Sequence, residues 1–469
     1  MYGTVTISTM TGGNSVKEFD IIVVGGGPAG YNSAEYAAHH GQSVLLVEKA
    51  KLGGTCLNVG CIPTKSLLYA SKMYHYANGA GEPYGVTAEH AALDHSRAVE
   101  KKNEVVKTLV QGVASGLRRS KVQVEEGEAK ISRKDGKLLV AVGEEMYAGR
   151  NLILASGSVP AVPPIEGVKE GMASGEVVTS NEILDLKEVP GKLVIVGGGV
   201  IGFEMAAYFQ EAGAEVTVIE MLDKVLGAND REVSALLQKE MEKKGVVFHL
   251  SSSVTKIADG VVTFRKDGKE ETAAYDKVLM CVGRRANSQI EGLAELGVQI
   301  ERGAIVTDEC MRTNVPNVYA VGDVNGKMML AHVGYREGEV AVNNILGKKD
   351  QMSYDAVCGV VYTSPEAAFV GLSEEQAQAA GLSYKVKKVS INFSGRHVAE
   401  NGMSNGICKL IIDTKKDIIV GAALMSSYAS EYIYSLALMI QNKIPTEAIV
   451  KTVFPHPTVC EIIREALLS

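Results

Sequence analysis

One supersecondary unit occurs twice in this chain, and no other feature limits its fold as strongly. FDIIVVGGGPAGYNSAEYAAHHGQSVLLVEK (19–49) and KLVIVGGGVIGFEMAAYFQEAGAEVTVIEM (192–221) follow one plan. Each has a β-branched apolar run, a G-x-G-x-x-G, an amphipathic helix, a glycine, a second apolar run and a glutamate. The glycines are Gly25, Gly27 and Gly30 in the first copy and Gly197, Gly199 and Gly202 in the second. In both copies 18 positions separate the third glycine from the acid, Glu48 or Glu220. A lone G-x-G-x-x-G says little, but strand, glycines, helix, strand and acid at matched spacing describe a dinucleotide-binding β-α-β unit. The glycines permit a tight turn and close approach of a pyrophosphate, which then meets the unpaired N–H groups of the helix N-terminus. The terminal glutamate is suited to accept hydrogen bonds from a ribose. Two such units predict two dinucleotide sites, and the alternative, glycines kept only for packing, has to explain the same coincidence twice.

With 469 residues the chain has room for several domains around these units. Hydrophobic residues make up 46% and charged residues 22%, the balance of a globular protein rather than a disordered one. The net charge of −7, without a basic tract, gives no surface for nucleic acid, since phosphate binding needs clustered Lys and Arg. No apolar run reaches the ~18–20 residues that cross a bilayer. Residues 1–18 lack the basic and apolar regions of a signal peptide and read as a mobile lead-in. Seven scattered cysteines, an odd number, argue against a disulfide framework and point to a reducing, cytoplasmic setting.

Between the two units lie a helical stretch around 64–120 and short strands at VQVEEGEAKI and KLLVAV. NLILASGSVP, KVLMCVGRRAN and TNVPNVYAVGDV each read as a strand followed by a break. Beyond about 350, VVYTSPEAAFVGLS, YKVKKVSINF and CKLIIDTKKDIIVGAALM alternate apolar and polar residues as antiparallel strands do, with helices after them. That last block has no nucleotide signature and is expected to form a separate α+β domain.

GGTCLNVGCIPTK (53–65) places Cys56 and Cys61 five positions apart, eight residues beyond Glu48. A zinc site would want a second Cys or His pair nearby, and the sequence offers none. A purely structural pair stays open. The redox reading has the position in its favour, since the first dinucleotide unit leads directly into the pair. Residues five apart in an ideal helix have Cα atoms roughly 8–9 Å apart, whereas a disulfide wants less than about 7 Å. Gly60 and Pro63 supply the required distortion, and a disulfide at such a strained place is easily reduced. Lys65, four residues after Cys61, can bring its ammonium near the thiolate and lower its pKa.

From residue 19 to the C-terminus the chain resembles the FAD-dependent pyridine nucleotide–disulfide oxidoreductases. The resemblance rests on GGTCLNVGCIPTK, the two dinucleotide units, TNVPNVYAVGDV, MLAHVGYREG and FPHPTVCE, in family order. It implies an α/β fold of two Rossmann-like dinucleotide-binding domains and a C-terminal α+β dimerisation domain. FAD binding is expected over 19–155 and 285–350, NAD binding over 156–284 and the interface over 351–469. The first unit then holds FAD, with Glu48 on the adenosine ribose, Asp323 near the ribityl or phosphate region, and backbone contacts from Ala129 and Ala331. The second holds NAD, with Glu220 on its ribose and Gly283 close by. Ala155-Ser156-Gly157-Ser158 stands where the family has A-T-G-S.

The same resemblance makes Cys56 the interchange thiol and Cys61 the thiol beside the flavin, joined as a redox-active disulfide. It pairs Lys65 with Glu204 and makes His456 a base oriented by Glu461, with a cis bond at His456–Pro457. Read locally, Thr458 and Glu461 also fit a T-x-x-E capping box for the final helix. His332, in the MLAH segment, is expected to be positional. Glu220 would repel a 2′-phosphate, and residues 221–224 contain no arginine to clamp one, so NAD is expected over NADP. The implied reaction oxidises protein-bound dihydrolipoyl groups and reduces NAD⁺ in a homodimer. The partner would be a lipoyl-bearing protein of a 2-oxo acid dehydrogenase complex or of the glycine cleavage system. Another NAD(P)H-dependent disulfide reductase of the family, or a non-catalytic flavoprotein assembly subunit, is the alternative.

Overall fold

The computed structural model describes residues 6–9 and 15–469. The chain divides into two compact units. One is built from residues up to Pro63 with Glu100–Ala161 and Gly283–Ser353, the other from Thr64–Val99, Val162–Val282 and Tyr354–Ser469. Among the described residues no helix is long and apolar enough to cross a membrane.

The first unit is an open sheet of eight strands. Its parallel part runs Gln123–Glu126, Val44–Glu48, Ser15–Val24, Glu145–Leu154, Val318–Ala320 in spatial order. Ile21, Ile22, Leu45, Leu46, Ile153 and Leu154 are buried, as expected where helices cover both faces of a parallel sheet. The lower end of Glu145–Leu154 turns into an antiparallel meander with Lys137–Val142 and Ala129–Lys134. Of the expected lead-in over 1–18, residues 1–5 and 10–14 lie outside the described residues; Thr6–Thr9 pairs antiparallel with Ser15–Glu18.

The second unit repeats the plan. Its parallel strands run Val247–His249, Glu215–Ile219, Lys192–Val196, Lys277–Met280, Val177–Thr179, with an antiparallel three-stranded sheet over 252–274. The C-terminal block is a five-stranded antiparallel sheet ordered Cys358–Val361, Glu366–Gly371, Ile418–Ser426, Ile407–Asp413, Tyr384–Ser390.

The alternation expected for that sheet fails in its two central strands, where nearly every residue is buried. One face, with Leu410, Ile412, Ala422 and Leu424, packs on the helices Ala429–Gln441 and Ile462–Leu468. The opposite face, with Ala423 and Met425, joins a core that includes Phe203, Tyr208 and Leu237. Two-sided burial removes the polar half of the pattern.

Candidate active site

The two glycine motifs have matched geometry. Gly25 and Gly197 take φ of +108° and +111°, and a Cβ there would sit 2.2 Å from the Ala155 carbonyl oxygen or 2.5 Å from that of Cys281. Only glycine tolerates both the left-handed conformation and the contact. A Cβ on Gly30 or Gly202 would meet the carbonyl oxygen of the first glycine at 1.8 or 2.2 Å, so these glycines let each helix close onto its strand.

The middle glycines do something else. Gly27 and Gly199 are the N-caps of the helices Pro28–His39 and Val200–Glu211, and neither helix has a side-chain cap. The space a Cβ would take is open at Gly199, and at Gly27 it meets only the Gly54 Cα at 3.7 Å. Uncapped helix N–H groups beside open space suit a pyrophosphate. The terminal acids match as well. Glu48 accepts the Gly26 N–H at 2.6 Å and the Ala50 N–H at 2.7 Å; Glu220 accepts those of Gly198 and Leu222 at the same two distances. Each carboxylate is thereby held at the mouth of its glycine turn, with lone pairs left for a ribose. The residues fit one dinucleotide per unit.

In the first unit, Gly53 and Gly54 take φ of +91° and +54° and feed the short helix Gly54–Val59, which carries Cys56. Gly60, at φ −147° and ψ −110°, breaks the chain out of helix, and a new helix starts at Cys61. The distortion expected between the cysteines is therefore a complete break. A Cβ on Gly60 would lie 2.9 Å from the Thr55 carbonyl oxygen, so glycine is required sterically. Pro63 falls in the first turn of the Cys61–His75 helix, where its missing N–H has no intrahelical partner to lose.

Asp323 sits in the turn Gly322–Asn325 and accepts a hydrogen bond from the Ser158 hydroxyl. Ser158 in turn accepts from Arg284 Nε at 2.7 Å, while Arg284 Nη2 reaches the Ser158 carbonyl at 2.8 Å and Thr55 Oγ1 at 3.3 Å. Burial lowers the Arg284 pKa, and the charges of Asp323 and Cys61 oppose that. The fully buried Glu337 receives Gly322 N–H at 2.6 Å and Asn325 Nδ2 at 2.8 Å, which fixes the Asp323 turn.

Ala331 opens the helix Ala331–Ile345 and Ala129 opens its strand, both with backbone at an element end. Gly283 takes φ +116° with open space where a Cβ would stand. Arg284 and Glu337 are the residues that reading the sequence missed. Arg284 lies within KVLMCVGRRAN, where its charge was the available signal. Glu337 gives no local signal, because its partners are 12 and 15 residues away.

In the second unit, Lys65 Nζ reaches both Glu204 oxygens, at 3.0 and 2.9 Å, and lies 4.4 Å from the centroid of the Tyr362 ring. Glu204 is 3% exposed and also accepts the Tyr362 N–H at 3.0 Å. A buried carboxylate held by an ammonium and an amide has its charge compensated. His456 Nδ1 lies 3.0 and 3.2 Å from the two Glu461 oxygens, and the His456–Pro457 bond is cis. Burial raises the Glu461 pKa, but the Thr458 N–H and the His456 ring outweigh it and hold the carboxyl below its usual value.

Only half of the expected capping box forms. Glu461 accepts the Thr458 N–H at 2.8 Å, but the Thr458 hydroxyl turns to the Pro455 carbonyl, and the helix starts at Ile462. The carboxylate thus serves the loop and the imidazole together.

A family profile described as pyridine nucleotide-disulphide oxidoreductase matches residues 19–338, and one for the dimerisation domain of the same family matches 357–467. A dihydrolipoyl dehydrogenase from Mycoplasma genitalium is 37% identical over 454 residues, 96% of this chain and 97% of that protein. One from Bacillus subtilis is 38% identical over 464 residues, 97% of each chain. Among solved structures, the HOCl-induced flavoprotein disulfide reductase RclA from Escherichia coli superposes with TM-score 0.83 at 28% identity, covering 96% of this chain and 99% of that one. LpdA from Mycobacterium tuberculosis reaches TM-score 0.86 at 23% identity, over 96% and 98%, a likeness of fold.

Proposed function

Because the chain belongs to the pyridine nucleotide–disulphide oxidoreductase family, we propose that it oxidises protein-bound dihydrolipoyl groups to the disulfide and reduces NAD⁺. The observation that carries this reading is the Gly60 break, which separates the short helix carrying Cys56 from the helix that starts at Cys61, directly after the first dinucleotide unit. Identity of 37–38% to dihydrolipoyl dehydrogenases along nearly the whole chain supports the substrate class. We assign FAD to 19–155 with 285–350, NAD to 156–284 and the dimer interface to 351–469.

In this reading His456 takes a proton from the dihydrolipoyl thiol, and Glu461 holds the imidazole with Nδ1 protonated so that Nε2 is the base. The substrate thiolate attacks the Cys56 sulfur of the Cys56–Cys61 disulfide, and the S–S electron pair leaves on Cys61. The second substrate thiol then gives its proton to solvent, and its thiolate attacks the substrate sulfur of the mixed disulfide, releasing oxidised lipoyl and the Cys56 thiolate, which takes up the proton held by His456. FAD, when bound, carries the electron pair from the dithiol to NAD⁺. Glu48 and Glu220 hold the two riboses, Asp323 the ribityl or phosphate region, and Lys65, compensated by Glu204, supplies positive charge on the helix that begins at Cys61.

The active unit is a homodimer in which His456 completes the partner's site. Its imidazole supports this, being 79% exposed on its own chain although its carboxylate partner fixes it. The electron donor is a lipoyl-bearing protein of a 2-oxo acid dehydrogenase complex or of the glycine cleavage system, in the reducing cytoplasm that scattered cysteines favour. Purified protein should reduce NAD⁺ with dihydrolipoamide at a rate typical of enzymes, ~1–10³ per second. Absence of turnover by flavin-loaded protein would remove this reading.

A further inference from the structure

Tyr31 and Tyr335 bring their hydroxyl oxygens to 2.5 Å of each other across 304 residues of sequence. Small residues make the meeting possible. The helix Ala331–Ile345 lies against Pro28–His39 through Gly334 and Gly338, where a Cβ would stand 3.1 Å from the Ala29 Cβ and 2.3 Å from Ser33 Oγ. Asn32 Nδ2 donates to the Tyr335 carbonyl at 3.1 Å, and the Tyr36 hydroxyl donates to Asn343 at 3.1 Å. Those two bonds already join the helices, so the paired hydroxyls are not needed as their link.

The Tyr31 helix also starts against the Cys56 helix. Gly54, its first residue, abuts the start of the Tyr31 helix, and a Cβ on Gly54 would be 2.6 Å from the Gly27 Cα. Tyr31 is one turn further along, its N–H on the Gly27 carbonyl at 2.9 Å, and Cys56 is two residues beyond Gly54. Within a hydroxyl pair one O–H is spent on the other oxygen, and the accepting tyrosine keeps its own proton to give elsewhere. A short hydrogen bond polarises that remaining O–H.

We propose that the Tyr31–Tyr335 pair is a positioning element for the reacting thiol, giving its remaining O–H toward Cys56 and favouring the thiolate there. The proposal rests on Cys56 being the interchange thiol. Burial, the Tyr335 hydroxyl and charge at Cys56 raise the Tyr31 pKa, so the pair stays protonated and able to donate through the physiological range. Burial likewise raises Tyr335, opposed by the bond to Tyr31 and reinforced by charge at Cys56 and Cys61. Glu35, on the Tyr31 helix, adds negative charge, and His332 lies one turn before Tyr335. The pair is thus the neutral donor in a neighbourhood of acids and thiols. A hydroxyl that donates to a thiolate lowers the thiol's pKa.

The test is the pH dependence of Cys56 alkylation in the NADH-reduced, flavin-loaded dimer, read by peptide mass spectrometry with iodoacetamide. Tyr31→Phe and Tyr335→Phe should each raise the midpoint by about one pH unit, an about tenfold slower reaction on the acid side. The double variant should shift no further, since either change breaks the pair. Unmoved midpoints in both single variants, with Cys56 still the residue alkylated, would overturn the inference alone. Alkylation of Cys61 in place of Cys56 in the unaltered protein would overturn the thiol assignment beneath it. If Tyr31→Phe fails to fold, Tyr335→Phe carries the same comparison.

Discussion

His456 Nδ1 lies 3.0 Å from a Glu461 oxygen, and the imidazole it orients is otherwise open to solvent on its own chain. Ordering of this kind without burial suits a base presented to a second copy. Mixing Cys56→Ser and His456→Ala subunits, each inactive, therefore tests the shared site. A two-fold dimer builds two equivalent sites. A statistical mixture should recover about a quarter of full activity, because half of the dimers are hybrids and each has one intact site. No recovery after demonstrated subunit exchange would place the histidine in its own chain's site. Glu461→Gln should lower kcat by about 10²-fold or more through loss of the oriented base, with flavin content unchanged.

Lys65 and Glu204 give a prediction about stability. Lys65→Met removes the ammonium and leaves Glu204, 3% exposed, with the Tyr362 N–H as its remaining partner among the described residues. The loss should be about 2 kcal/mol, below the range for fully buried pairs because the lysine is partly solvated. A thermal melt followed by flavin fluorescence should fall by several degrees. Glu204→Gln in the same background should recover part of that loss by removing the stranded charge. A double variant no more stable than Lys65→Met would contradict the account.

The duplicated units were legible as strand, glycine turn, helix, strand and acid, though not the separate part each glycine plays. Strand, turn and helix are local, so their sequence pattern carries their geometry. The Gly60 break was readable for the same reason from Gly60 itself, whereas Pro63, expected to share in it, falls in the first turn of the next helix and costs no hydrogen bond there. What stayed hidden was set by distant segments. Glu337 looks like any helix glutamate until the Gly322 turn is seen beneath it. Tyr31 and Tyr335 meet only because Gly334 and Gly338 admit a close helix crossing. The central C-terminal strands lost their alternation to a second packing face. The Thr458 capping box competed with the Pro455 carbonyl for one hydroxyl and lost.

We propose that Glu220 sets the cofactor choice. Its carboxylate is pinned at the second glycine turn by two backbone N–H groups, so it cannot swing away from a 2′-phosphate. Steady-state kcat/KM should favour NADH over NADPH by about 10²-fold or more, from charge repulsion at close range. Equal efficiency with the two would contradict the assignment.

Thiol reactivity separates the cysteines. Burial, with a smaller contribution from Glu220, pushes the Cys281 thiol up from 9.0 to about 12. At pH 8 only about one molecule in 10⁴ then carries the thiolate. Native alkylation at pH 8 of the reduced protein should label Cys56 or Cys61 and spare Cys281. A folded-state pKa raised above the unfolded value gives a contribution fully present below pH 9.0 and lost as pH rises toward 12. Cys281→Ala should therefore flatten the alkaline loss of stability, measured by denaturant melts between those limits.

The redox assignment of the cysteine pair is tested most directly by anaerobic reduction of the flavin-loaded protein with one equivalent of dihydrolipoamide, followed by its visible spectrum. Cys61, at the start of the Lys65 helix, should become a thiolate beside the flavin and give a long-wavelength absorbance band. The band should appear in the unaltered protein and be absent in Cys61→Ser. Its survival in Cys61→Ser, or its absence from fully reduced unaltered protein, would contradict the account.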